Sequence, residues 1–330
     1  MFRYNHLNRT EVEHFEAPYN KNLVEVCLQD VSVNPVGDPC WTPVPCVMPA
    51  RYCEFAERIR NLKVYEDDVW IVTFPKAGTT WTQEMVWLID HDLDYCTARE
   101  VKLFERSVFL ELNAIFNDLQ LPDTISQVEQ MTRPRHIKSH LPITLLPKQL
   151  WTARPKIVYT ARNPRDVAAS FMHHYRHLHG FRGSQEDFLD GFVADKLCWC
   201  PLVKHALEFW RVSESRPDHV LFLHFEDMKR DMPKVLRKVC DFFGKSLSEE
   251  QVEELKKHLS FEVMKENTSA NQQLLVTRMT KAMGNDTEEF IFMRKGIVGS
   301  HNDKLPEKYI TKLEKTVKDQ LLGTTFSYRE

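Results

Sequence analysis

Thr73-Phe-Pro-Lys-Ala-Gly-Thr-Thr-Trp81 is the stretch on which the reading of this chain turns. The apolar run Val69-Trp-Ile-Val-Thr-Phe74 predicts a buried parallel strand, and Thr82-Gln-Glu-Met-Val-Trp-Leu-Ile89 predicts an amphipathic helix. A strand, a tight glycine-containing loop and a helix N-terminus make an anion cradle, because loop amides and the helix dipole put partial positive charge at one spot. Lys76 adds a full charge there, and Thr79 and Thr80 add hydroxyl donors. In a Walker A loop, G-x-x-x-x-G-K-[ST], the lysine follows the second glycine. Here Lys76 precedes Gly78 and no Walker glycine stands before it. The segment is therefore a P-loop-like phosphate cradle, but not that of an ordinary ATPase.

Around it, strand and helix patterns alternate. Strands are predicted at 69–74, 135–139, 156–161 and 220–225, and helices at 51–62, 80–91, 143–151, 164–176, 226–243, 248–259 and 306–322. This order predicts an α/β fold, a single domain with a central parallel sheet flanked by helices. Pro35, Pro39, Pro43, Pro45 and Pro49 punctuate the first 50 residues, which read as an irregular arm over a domain spanning 51–330. Residues 267–300 show weak periodicity and end in a basic loop. With 330 residues, 42% hydrophobic residues and a formal charge of −3, the composition is that of a globular enzyme and lacks the basic excess of a nucleic-acid binder. No stretch approaches the ~18 apolar residues of a membrane span, and the first residues lack a signal-peptide core. Eight cysteines without a C-x-x-C pair read as free thiols in a reducing cytoplasm.

In open parallel sheets, ligands sit at the carboxyl ends of the strands. The strand at 156–161 runs into Arg162-Asn-Pro-Arg-Asp-Val-Ala-Ala-Ser170, with Asn163 as a helix cap and Pro164 as the first helical residue. Arg162 then stands at the strand mouth and Ser170 about two turns into the helix. Later, Phe292-Met-Arg-Lys-Gly296 puts Arg294 and Lys295 beside a glycine that admits close backbone approach. Taken singly, an arginine at a strand end is a solvated charge and Arg-Lys-Gly a surface turn. Together with the first loop they make a second anion site, as a nucleotide phosphorylated at both its 5′ and 3′ positions requires.

These segments, with Lys138-Ser-His-Leu-Pro142 and Phe225-Glu-Asp-Met-Lys229, resemble the cytosolic sulfotransferases in order and spacing over roughly residues 50–300. Those enzymes take the sulfuryl group of 3′-phosphoadenosine 5′-phosphosulfate (PAPS) and release 3′-phosphoadenosine 5′-phosphate (PAP). The resemblance implies that Lys76, Ala77, Gly78, Thr79 and Thr80 hold the 5′-phosphosulfate. It implies that Arg162, Ser170, Arg294, Lys295 and Gly296 hold the 3′-phosphate. It places Trp81 and Phe261 on the adenine, with Trp199 near the base where the family often has a tyrosine. It also implies that Ser170 bonds Lys76, and that Phe109-Leu-Glu-Leu112 lines the acceptor pocket, with His174, Leu178 and Met283 as further candidates and Phe104 and Leu110 in the same apolar segment.

Lys138 and His140 stand two apart at a strand end, so an ammonium and an imidazole share one face. By the family mechanism His140 takes the proton of an acceptor hydroxyl while Lys76 and Lys138 stabilise charge on the transferring group. No metal is required. The expected partner is a small hydrophobic hydroxyl compound, a phenol, steroid, retinoid or other alcohol, with neither nucleic acid nor membrane. Gly299-Ser-His-Asn-Asp-Lys-Leu-Pro306 departs from the vertebrate pattern and its dimer motif, leaving monomer and homodimer both open.

The same site would serve dehydration of an allylic alcohol through a transient sulfate, as in retinol dehydratase. A P-loop nucleotide kinase is disfavoured by the loop order and the Lys138/His140 pair. His173, His174, His177 and His179 include an i, i+4 pair of metal-capable spacing, but without the Glu of H-E-x-x-H they read as a helix end bordering the acceptor pocket.

Overall fold

The computed structural model describes residues 1–8, 12–18, 21–116, 122–282, 290–302 and 304–330. Five parallel strands form the central sheet: β4 (Val69–Thr73), β5 (Val108–Phe109), β6 (His136–Ser139), β7 (Lys156–Ala161) and β8 (Val220–His224), in the order β5-β6-β4-β7-β8. Side chains along β4, β7 and β8 alternate between two apolar clusters. Trp70, Val72, Ile157, Tyr159, Val220 and Phe222 enter one. Val69, Ile71, Val158, Leu221 and Leu223 enter the other. Both faces are therefore covered, as the continuous apolar runs in the sequence require.

Helices α1 (Tyr52–Arg60), α3 (Pro164–Leu178) and α4 (Leu202–Ser215) pack on the first face through Tyr52, Ile59, Phe171 and Phe209. Helices α2 (Thr79–Asp90) and α5 (Met232–Phe243) pack on the second through Met85, Leu88, Leu236 and Val239. Helix α6 (Gln273–Ala282) lies beside α3, and α7 (Glu307–Leu321) against α3 and α4.

Three sequence expectations are corrected. Residues 1–50 are not an irregular arm: β1 (Phe2–His6), β2 (Leu23–Leu28) and β3 (Cys46–Pro49) form an antiparallel sheet in the order β1-β2-β3. Val24 and Val26 face the core while the prolines fall mostly between the strands. The helix expected at 143–151 shrinks to Leu150–Ala153, because Pro142 and Pro147 interrupt the pattern with turns. The helix expected at 226–243 breaks at Asp231, which has φ −147° and caps α5 by accepting the Lys234 amide at 3.1 Å. No helix of the described residues is long and apolar enough to cross a membrane.

Register places the site. Val72 of β4 lies opposite Ser139 of β6, and Thr73 opposite Thr160 of β7. The residues that follow these strand ends, Lys76, His140 and Arg162, therefore emerge side by side. The chain fills the β6 side of β4 before crossing to β7, so the crevice after β4 is where a ligand is expected.

Candidate active site

One cavity at the carboxyl end of the sheet is lined by Lys76, Gly78, Thr79, Thr80, Trp81, Phe109, Leu112, Lys138, His140, Arg162, Ser170, His174, Trp199, Phe261, Arg294, Lys295 and Gly296. Of the residues assigned from the sequence to the nucleotide and to the chemistry, Ala77 is absent from that wall. Its amide donates to the Phe74 carbonyl at 3.2 Å, and with Phe74, Tyr159 and Tyr328 it lines a small separate cavity. Ala77 thus shapes the cradle rather than lining it.

The loop is turned by Lys76 at φ 67° and Gly78 at φ 106°, the residue that caps α2. A β-carbon on Gly78 would lie 2.8 Å from Cδ2 of Phe225 and would have to hold a backbone conformation that L-residues avoid. Gly78→Ala is expected to weaken PAP binding about 5–150-fold, since strain of this kind costs roughly 1–3 kcal/mol. Titration calorimetry checks this, and unchanged affinity would show that the turn does not need glycine. Thr79 Oγ1 meets Thr73 Oγ1 at 2.6 Å, tying the helix start to the strand end.

Arg162 joins the loop after β4 to the segment after Gly296. Its guanidinium donates to the carbonyl of Lys76 at 3.3 Å and to that of Ile297 at 2.9 Å, and it pairs with Asp166 at 3.5 Å. Asp166 was not singled out from the sequence. Buried at the start of α3, it also accepts from the Gly299 amide at 2.9 Å, the His301 amide at 3.1 Å and the Ser300 hydroxyl at 3.2 Å. Burial pushes its carboxyl up, but Arg162 and His301 outweigh this and hold it below the usual range. It is the post to which residues 299–301, just after Arg294–Gly296, are moored. Gly296, at φ 57°, lies so close to Phe261 that any side chain would overlap the ring.

Trp81 is fixed by its indole N–H donating to the Leu259 carbonyl at 2.8 Å and by Phe225, whose ring centroid is 5.6 Å away. Phe225, Lys229 and Leu259 also line the cavity, and Lys229 Nζ stands 5.3 Å above the Trp81 ring. Phe225 and Lys229 were legible only as the ends of the Phe225–Lys229 segment. Trp199 does not join the Trp81 and Phe261 group. Its ring lies edge-on to His140 at 5.6 Å and against His179 at 5.8 Å. Backbone bonds from Trp199 N to Val47 O (2.8 Å) and from Val47 N to Cys200 O (2.9 Å) draw this segment onto β3. Trp199 nonetheless lines the same cavity as Trp81 and Phe261.

His140 Nδ1 faces the Thr73 carbonyl oxygen at 2.8 Å, an acceptor only. Nδ1 therefore carries the proton, and Nε2 keeps its lone pair. Burial and then the Lys138 charge hold this imidazole well below 6.5, so it is neutral at pH 7. Lys138 Nζ lies 3.9 Å over the Phe109 ring, and the Phe109 centroid is 5.1 Å from His140. Burial pushes Lys138 down to about 8. Burial, then Lys138, Arg162 and Arg294, push Lys76 down to about 7. The Lys76 ammonium rests 4.1 Å over the Phe292 ring, while Ser170 lines the same cavity.

The apolar end of the cavity holds Phe109, Leu112, Phe116, His173, His174, Leu178, Leu275, Val276 and Met279. Leu110 and Glu111 turn into the core and Phe104 is not on the wall, so the segment from Phe109 to Leu112 contributes only its end residues. Met283 lies outside the described residues. His173 and His177 pack against each other at 4.5 Å and against Phe290. His174 and Leu178 face the cavity as expected, but the trio of ligating side chains brought close together among the described residues is a different one, Asp90, His91 and His136. That trio lies at the opposite end of the sheet, where His136 and Asp90 share a 2.8 Å hydrogen bond.

Residues 66–325 match the family model described as Sulfotransferase domain. The luciferin sulfotransferase of Photinus pyralis is 36% identical over 290 residues, covering 83% of this chain and 77% of that protein. Sulfotransferase 1A1 of Bos taurus is 36% identical over 263 residues, covering 76% and 85%. Retinol dehydratase, solved with retinol and PAP, superposes with a TM-score of 0.83 at 27% identity over 99% of both chains. Its complex with androsterone and PAP gives 0.82 at 28%. With the family model spanning most of its length and relatives at this identity, the chain belongs to the sulfotransferase family and is an enzyme of that class.

Proposed function

We propose that the protein transfers a sulfuryl group from PAPS to the hydroxyl of a small hydrophobic acceptor, with His140 as general base. The observation that carries this reading is the meeting, in one cavity, of buried cations in excess of carboxylates with a neutral histidine of fixed tautomer. Lys76, Lys138, Arg162 and Arg294 depress one another or are depressed by burial, which is the signature of a site built for a polyanion. Solved structures of the family that resemble this chain contain PAP. PAPS, when bound, supplies the sulfuryl group and leaves as PAP.

The chain's own groups divide the work. Lys76, Gly78, Thr79 and Thr80 hold the 5′ end, Arg162, Ser170 and Arg294–Gly296 the 3′-phosphate, and Trp81 and Phe261 the adenine. His140 Nε2 accepts the acceptor's hydroxyl proton as its oxygen attacks sulfur. Lys76 and Lys138 stabilise the charge that develops on the transferring group and the departing oxygen. Phe109, Leu112 and His174 line the acceptor end, whose apolar wall suits an aromatic or terpenoid alcohol. Eight unpaired cysteines support a reducing, cytoplasmic setting.

A second reading, dehydration through a transient sulfate, is favoured by one observation, the full-length likeness to retinol dehydratase. Product analysis with an allylic alcohol separates a sulfate ester from an alkene. For the nucleotide itself, thermal-shift titrations with PAP and with ATP–Mg²⁺ decide. PAP at 100 times its Kd is expected to add about 2.7 kcal/mol of stability, and stabilisation by ATP–Mg²⁺ but not PAP would refute the assignment.

A further inference from the structure

Glu111 is fully buried and does not line the cavity, yet it holds the backbone around His140. It follows β5, where Phe109 lies opposite Lys138 and the Leu110 amide donates to the Lys138 carbonyl at 3.0 Å. One carboxylate oxygen accepts from the His140 amide at 2.6 Å, the other from the Ser139 hydroxyl at 2.9 Å. The direction of the second bond is set by Leu141, whose amide donates to Ser139 Oγ at 3.0 Å and leaves the hydroxyl proton for Glu111. One carboxylate thus secures residues 139, 140 and 141. From the other side His205 Nε2–H donates to the His140 carbonyl at 3.0 Å, and Tyr159 OH donates to His205 Nδ1 at 2.8 Å.

We infer that Glu111 is a positioning residue that sets His140 for proton transfer by clamping residues 139–141, with Ser139 as its partner. This rests on His140 being the base. Both groups facing the carboxylate are donors, so both of its oxygens must accept. A glutamine would present one NH₂ to a donor and lose half the clamp. Burial pushes the Glu111 carboxyl up to about 7. The groups facing it are Lys138 from β6, Tyr52 from α1, Cys46 from β3 and Cys198. The tyrosine and both thiols are pushed up and stay neutral at physiological pH, so Lys138 is the charged neighbour. The clamp is intact in the carboxylate form and loosens as pH falls through about 7, when one oxygen becomes a donor. His140, held well below 6.5, is not the source of an acid limb there.

The test compares Glu111→Gln, Glu111→Asp and Ser139→Ala with the parent, using PAPS and any accepted alcohol. Glu111→Gln is expected to lower kcat about 10–100-fold, the scale of a small displacement of a reacting group, with PAP affinity unchanged within about twofold. The acid limb near pH 7 should disappear in it. Glu111→Asp keeps two acceptor oxygens and is expected to recover part of kcat. Ser139→Ala, which removes one strut only, tests the clamp if the Gln variant fails to fold, and should lower kcat less, without shifting PAP affinity. Parental kcat in both Glu111→Gln and Ser139→Ala, a persistent acid limb in Glu111→Gln, or loss of PAP affinity in step with kcat would overturn the clamp. Turnover surviving in His140→Ala would instead overturn the base assignment on which the clamp rests.

Discussion

His140→Ala is expected to lower kcat by roughly 10³–10⁴, towards the upper range for a general base, while PAP binds within about twofold of the parent. The size follows from how completely the imidazole is committed. Its Nδ1–H is spent on the Thr73 carbonyl, its main-chain amide on Glu111 and its carbonyl on His205, which leaves Nε2 as the group with free capacity. Lys138, at about 8, is mostly protonated at neutral pH and does not replace it as an acceptor. Affinity for PAP should survive because the groups assigned to its phosphates come from other strand ends. Single-turnover kinetics with labelled PAPS, beside calorimetric PAP binding, separate the two effects. Near-parental turnover in His140→Ala would sink the assignment.

Lys76→Met is expected to lower kcat about 10²–10³-fold, the usual cost of deleting one preorganised charge from a transferring anion, and to change how PAP binding responds to pH. Burial, Lys138, Arg162 and Arg294 hold the free ammonium at about 7, whereas a bound polyanion favours its charged form. Below pH 7 the lysine is already protonated, so affinity should be flat. Above pH 7 binding must take up a proton, and affinity should fall by as much as tenfold per pH unit; Lys138, at about 8, adds a second proton further up. Lys76→Met should lose the first of these steps. Calorimetry in buffers of different ionisation enthalpy counts the protons. A parental affinity that is flat from pH 7 to 9 would contradict the account.

The same shift predicts a cost to the empty protein. Between pH 7 and the ordinary lysine range the unfolded chain binds a proton that the folded chain does not, so stability rises with pH across that window. Lys76→Met should therefore have a higher Tm than the parent without nucleotide, a function-for-stability exchange common at active sites.

The core of the fold was legible because its signals are local. Val69–Phe74, Lys156–Ala161 and Val220–Phe225 are largely apolar runs of strand length, and the Asn163-Pro164 start and the Ser248 cap announce helices that the structure contains. Loop order alone separated Lys76 from a Walker lysine. What escaped depended on partners distant in the chain. The β1–β2 pairing links residues 2–6 with 24–28, and the prolines between and after them masked it. Asp166 reads as an ordinary residue of a helix first turn until the loop at 299–301 folds onto it. Glu111 sits in an apolar segment that suggests a pocket wall, and its turn inward is set by β5 pairing with β6.

Residue types and their spacing were enough to propose a phosphate loop, a second anion site, and a lysine and histidine on one strand face, since each depends on chemistry carried within a few neighbouring residues. Packing across the sheet settled the rest. It decided which nitrogen of His140 holds the proton, that Trp199 stands beside that histidine, and that Ala77 backs the loop instead of facing the ligand. These are relations between strand ends brought together by register, and no local pattern encodes the distance from Thr73 to His140.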